Sequence, residues 1–131
     1  MPGSDNIIKT CLLGSGVLAT FTDLTSHYYG GYYHVRIRVS ADVAVSAAAF
    51  SDVSEYSDAL QRLGTMILFS RTLEKMAVPA GELEAVRQHL LASFDTTVLP
   101  YLQRADFPDS YVRSEYRKAL KTKTVFHRHQ A

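Results

Sequence analysis

Hydrophobic positions change their spacing near residue 45. Before it, β-branched and aromatic residues crowd into short runs with strand periodicity. After it, apolar residues recur every three or four positions, the period of helices. The run IIKTCLL predicts a first strand over 7–13, with Gly14-Ser15-Gly16 as a tight turn after it. A second strand is expected over 17–29 and a third over 32–45, joined by the palindrome HYYGGYYH at 27–34. Gly-Gly between two aromatic runs signals a two-residue hairpin. A type I′ turn needs positive φ at both central positions, and glycine takes that conformation without a Cβ clash.

With Gly30 and Gly31 at those positions, Tyr29 opposes Tyr32, Tyr28 opposes Tyr33 and His27 opposes His34. Carried down the ladder, this register predicts an apolar face of Leu18, Leu24, Tyr28, Tyr33, Val35, Ile37, Val39 and Val43. The other face collects Asp23, Thr25, His27, Tyr29, Tyr32, His34, Arg36 and Arg38, with Asp23 directly across from Arg38 as an opposite-charge pair. Phe21 falls on this polar face too. The face is therefore expected to be solvated near the tip and covered at its far end, by a helix or by another subunit.

Farther along, Val53, Tyr56, Leu60 and Leu63 share one helical face, with Asp52 or Ser54 as the cap and Gly64 as the stop. MILF at 66–69, followed by SRTL, predicts a fourth strand over 66–73, against the competing prospect that the preceding helix continues. Pro79 suits a helix start. Leu83, Val86, Leu90, Phe94, Val98 and Tyr101 then make an amphipathic stripe, which Pro100 ends or kinks near residue 97. Pro108 opens a last helix, with Tyr111, Val112, Tyr116, Ala119 and Leu120 available for packing. The order β-β-β-α-β-α-α specifies an α+β fold: an antiparallel sheet of three meander strands plus a fourth, with helices packed on one face.

Composition narrows the picture only modestly. At 131 residues, 47% apolar and 21% charged, the chain reads as one soluble domain over 1–131, with flexible ends at 1–5 and 122–131. A net charge of +1 gives no global case for nucleic acid or membrane binding. The charge is uneven, however. From Arg113 onward there are six Lys or Arg residues against Glu115 alone, and the rest of the chain is acidic overall. A single cysteine, Cys11, excludes an intramolecular disulfide and fits a reducing compartment. With no apolar run of membrane-spanning length and no signal-peptide pattern at the start, a cytoplasmic location is expected.

Candidate chemistry concentrates at the palindrome. A facing His27–His34 pair is a weak candidate for a metal ion, since two imidazoles fall short of the three or four ligands zinc takes. His127 and His129 in the tail add only a further remote possibility. Tyr28, Tyr29, Tyr32 and Tyr33 around the turn offer large contact area with polar tips, as interfaces do. Their mundane alternative is packing on the protein's own helices. Tyr29, Tyr32, His27, His34, Arg36 and Arg38 mix aromatic and basic groups, the combination that stacks bases and follows phosphates in single-stranded nucleic acid. Cys11 lies among apolar strand residues and reads as a small core residue. Glu82 and Glu84 suit a helix's first turn and form no evident acid–base pair, and Gly14-Ser15-Gly16 lacks the rest of a phosphate loop.

These residues specify no catalytic triad, cofactor or reaction. The expected function is a small cytoplasmic interaction domain, more a binder than an enzyme, that self-associates, as a dimer, through its sheet or hairpin. RNA or single-stranded DNA binding through the aromatic-basic face and the basic tail is the alternative. A small-molecule site or an enzyme using His27 or His34 ranks last.

Overall fold

The computed structural model describes residues 6–121 in full and the backbone alone of 122–130. The ends expected to be flexible, 1–5 and 122–131, lie outside the fully described residues. The fold is α+β, with five strands and four helices among the described residues: β1 Asn6–Leu12, β2 Leu18–Asp23, β3 Ser26–Tyr29, β4 Tyr32–Ala44, α1 Val53–Leu63, β5 Met66–Pro79, α2 Leu83–Thr97, α3 Leu99–Gln103 and α4 Phe107–Gln130. All strand pairs are antiparallel and β4 is the hub. β5 follows it from Tyr32↔Pro79 to Ala44↔Met66, while β2 and β3 share its other edge and β1 pairs with β2.

The second expected strand is split into β2 and β3. The Asp23 carboxylate accepts the Thr25 backbone N–H at 2.9 Å, an Asx turn that bends the chain. Leu24 N–H then donates to the Arg36 carbonyl at 2.8 Å, and Thr25 Oγ1 accepts Arg36 N–H at 3.3 Å. The fourth expected strand runs on to Pro79 instead of stopping at residue 73, so Pro79 closes a strand. A short 3-10 turn at Ala80–Glu82 leads into α2.

The hairpin register needs one correction, and it propagates. Tyr29 pairs with Tyr32 as expected, but Tyr28 is then an extra residue: His27 pairs with Tyr33 and Ser26 with His34. Below this bulge Asp23 lies opposite Ile37, Thr22 opposite Arg38, Phe21 opposite Val39 and Ala19 opposite Ala41. The expected pairs Tyr28–Tyr33, His27–His34 and Asp23–Arg38 do not form. A one-residue slip turns over every side chain of a strand. Phe21, assigned to the polar face, is therefore 2% exposed under the helices, whereas Leu18, assigned to the apolar face, turns outward. The turn itself has positive φ only at Gly30 (54°), as in type II′, and not at both glycines.

β5 carries a matching irregularity. Tyr33 pairs with Val78 but Val35 with Lys75, so Met76 and Ala77 together face His34, and Ala77 sits at φ 57°. Two bulges thus flank β4 on either side of Tyr33 near the tip.

The helices form where local signals place them. The Asp52 carboxylate accepts Glu55 N–H at 2.8 Å to cap α1, and Gly64 ends it at φ 85°. α2 stops at Thr97 as Pro100 requires, and the proline falls in the first turn of α3. Of the predicted stripe, Phe94 is buried, Leu83, Val86, Leu90 and Val98 are half-buried and Tyr101 is exposed. One core joins Phe21, Ile37, Val39 and Val43 of the sheet to Ala59, Phe94, Leu102, Phe107 and Val112 of the helices. Phe21 and Phe94 meet edge to face at 5.4 Å, clamping α2 on β2. All four helices contribute to this cluster, so they lie on one face of the sheet.

Candidate interaction surface

The alternation along β4 shows what the helices leave uncovered. Val35, Ile37, Val39, Ala41 and Val43 are buried, whereas Arg36, Arg38, Ser40, Asp42 and Ala44 point away from the core. Cross-strand pairing extends this outer face sideways in rows. Arg38 stands between Thr22 and Thr72, and Ser40 between Thr20 and Ser70, with Thr10 beyond Thr20. Asp42 stands beside Leu68, and Ala44 beside Met66. Leu12 pairs with Leu18 at the same end. Leu12 is 72% exposed, Leu68 58%, and Leu18 and Met66 53% each. A shallow cleft of about 190 Å³ lies between these groups, lined by Leu18, Thr20, Ser40, Ala41, Asp42 and Leu68.

No described helix covers this end. The cover expected from a helix is therefore corrected: Phe21, the residue on which that expectation rested, lies on the helix side instead. What is left outside is a flat floor of hydroxyl side chains with an apolar end.

The bulge divides the palindrome between the two faces. Tyr29, Tyr32, His34, Arg36 and Arg38 share the outer side, while Tyr33 turns toward the helices opposite Val78. Tyr28, Tyr29 and Tyr32 are exposed. Tyr33 is half-buried and edge-on to His27, with ring centroids 5.4 Å apart. His27 Nε2 bonds the Gly30 carbonyl, fastening the tip, whereas His34 Nε2 meets Glu74 Oε1 at 2.7 Å across β4 and β5. The two imidazoles occupy opposite sides and cannot share an ion. Among the described residues, no group of three or more His, Cys, Asp or Glu is placed to hold a metal.

Arg38 also differs from expectation. Asp23 ion-pairs with Arg87 of α2 at 3.3 Å, so Arg38 is exposed with no acidic partner among the described residues. Arg36 is half-buried and its Nε is buried without a hydrogen-bond acceptor. Cys11 is half-buried against the core, as a small packing residue would be. The Glu84 carboxylate accepts bonds from Arg87 and Gln88, both at 2.8 Å, which hold it below the usual carboxylate range, the Gln88 bond first.

Leu12, Leu18, Ser40, Asp42, Met66 and Leu68 were not legible as a surface. Their signal is the alternation Leu18-Thr20-Thr22 and Leu68-Ser70-Thr72, which becomes a face only once the register is known. Among the described residues no helix is long and apolar enough to cross a membrane. Compared with protein-family models, curated proteins and solved structures, the chain matches none of them.

Proposed function

We propose that the chain is a small cytoplasmic interaction domain that self-associates through the outer face of its sheet. One observation carries this: an antiparallel sheet with helices on one face leaves Leu12, Leu18, Met66 and Leu68 more than half exposed on the other. Contiguous exposed apolar groups beside polar ones are the composition of a docking surface. The area is adequate. Four strand widths of about 4.8 Å, over about 30 Å of strand, give a planar footprint of roughly 600 Å². Side-chain relief raises the accessible area toward the roughly 800 Å² per partner of a standard interface.

Sedimentation velocity tests the reading. The wild type should sediment as a dimer at micromolar concentration, and a Leu18→Ser/Leu68→Ser variant as a monomer. A strictly monomeric wild type at high micromolar concentration would sink it. Dissociation by Tyr28, Tyr29 and Tyr32 to serine, with the leucine variant still dimeric, would move the contact to the hairpin tip.

A second reading draws on Arg36 and Arg38, which lack acidic partners among the described residues and share their side of the sheet with Tyr29 and Tyr32. Bound single-stranded nucleic acid would stack on the rings with its phosphates over the arginines. It predicts retention on mixed oligonucleotides at low salt that Arg36→Ala weakens and added salt abolishes.

A further inference from the structure

The outer face carries a charge pattern that identifies how two copies meet. Arg38 and Asp42 are both exposed, both lack an ion-pair partner among the described residues, and stand symmetrically on either side of Ser40 on β4. They cannot pair within one strand, because four residues of extended chain separate their Cα atoms by about 13 Å. Around Ser40 the row Thr10, Thr20, Ser40, Ser70 is made only of small hydroxyl residues, so a second sheet can approach closely there. The cleft of about 190 Å³ adjoining Ser40 has the apolar walls Leu18 and Leu68 and the carboxylate of Asp42. An arginine needs that combination: an apolar wall for its stem and a carboxylate for its guanidinium.

We propose that a second copy of this chain packs sheet to sheet about a two-fold axis that lies midway between the two sheets, over Ser40 and perpendicular to the strands. Arg38 of each copy enters the Leu18–Ser40–Asp42–Leu68 cleft of the other. This rests on the self-association proposed above and specifies its register. The axis runs β4 antiparallel over β4 of the second copy, so one operation forms both Arg38–Asp42 pairs, as an isologous interface requires. An axis along β4 would instead set Arg38 against Arg38, and a like-charge contact disfavours that arrangement. Packed sheets lie about 10 Å apart, a gap that an arginine stem and a carboxylate span together. The same operation lays the Leu12–Leu18–Leu68 end over the Thr22–Thr72 row, taking the exposed leucines out of water.

The test is a charge exchange read by sedimentation equilibrium on the full chain, with circular dichroism confirming the fold of each variant. Arg38→Asp and Asp42→Arg should each weaken dimerisation at least ~tenfold, because each sets like charges across the axis twice. The double variant R38D/D42R re-creates both pairs with their signs exchanged and should return to within ~threefold of wild type, because the interacting sites are coupled and not additive. Single variants that dimerise like wild type, or a double variant no tighter than the singles, would overturn the register while leaving self-association standing. A monomeric wild type would overturn both.

Discussion

The hairpin tip offers a sharp test because two adjacent glycines make opposite demands. Gly30 has φ 54°, whereas Gly31 is not at positive φ, and a Cβ built on either meets nothing within 4 Å. Packing therefore drops out of the comparison and only backbone conformation remains. An L-residue in the left-handed region costs about 1–2 kcal/mol. Against that, replacing glycine restricts the unfolded chain and stabilises by about 0.4–1 kcal/mol wherever the native φ suits the new residue. Gly30→Ala should therefore lose about 0.5–1 kcal/mol net, and Gly31→Ala should gain up to about 1 kcal/mol by the same two terms. The gap between neighbouring substitutions, about 1–2 kcal/mol, corresponds to roughly 3–8 °C in melting temperature at this size. Urea unfolding at fixed protein concentration, followed by circular dichroism with the slopes compared, measures it directly. If the two variants are equally stable, or Gly31→Ala is the worse, then the tip is not a turn with positive φ at its first glycine alone.

Three further outcomes are expected. Phe21→Ala and Phe94→Ala should each cost about 3–5 kcal/mol in urea unfolding, and the double variant less than their sum, because the rings meet edge to face inside one core; strict additivity would contradict the contact. Ala77→Gly should be neutral to stabilising by up to ~1 kcal/mol, since Ala77 sits at φ 57°, and a loss larger than that in thermal melts would contradict the strained bulge. The Asp58 carboxyl is held below its ordinary value by the Arg62 bond first and the Tyr116 hydroxyl second. Its contribution to stability is therefore complete above its unfolded value, near pH 4, and is lost as pH falls through the lower folded value. Tyr116→Phe should raise the Asp58 midpoint in an NMR titration and weaken that acid dependence, and an unchanged midpoint would contradict the bond.

What could be foreseen was local, and what could not was a competition between distant parts. Asp52, Gly64 and Pro100 act within one helical turn, so the bounds of α1 and α2 were legible from residues beside them. The bulge at Tyr28 was not, because inserting one unpaired residue leaves the alternation on either side looking sound. Energy decides it. Holding the unbulged register would form the Asp23–Arg38 pair, worth about 0.2–1 kcal/mol. The observed register buries Phe21 against Phe94, which contributes about 1.5–3 kcal/mol for a fully buried aromatic side chain, and lets Asp23 reach Arg87 instead. One clue was present in the sequence. Asp23 two residues before Thr25 is an Asx-turn pair, and that turn ends β2 and splits the expected strand, while the phase changes only at Tyr28. The candidate surface followed the same logic: the palindrome was visible as residues, but Leu18, Leu68 and Asp42 became neighbours of Ser40 only through the corrected pairing.

The paired bulges beside β4 make the tip a separate unit of sequence change. Below them, the parity that sends Phe21, Ile37 and Phe69 inward is set by β4 against β2 and β5. Above them, Tyr28 on one flank and Met76-Ala77 on the other absorb the difference in count, as a slip joint does between two rails. A residue gained or lost in the hairpin tip can be taken up there without turning the core strands over. The tip can therefore vary in length and composition while the sheet beneath keeps its phase.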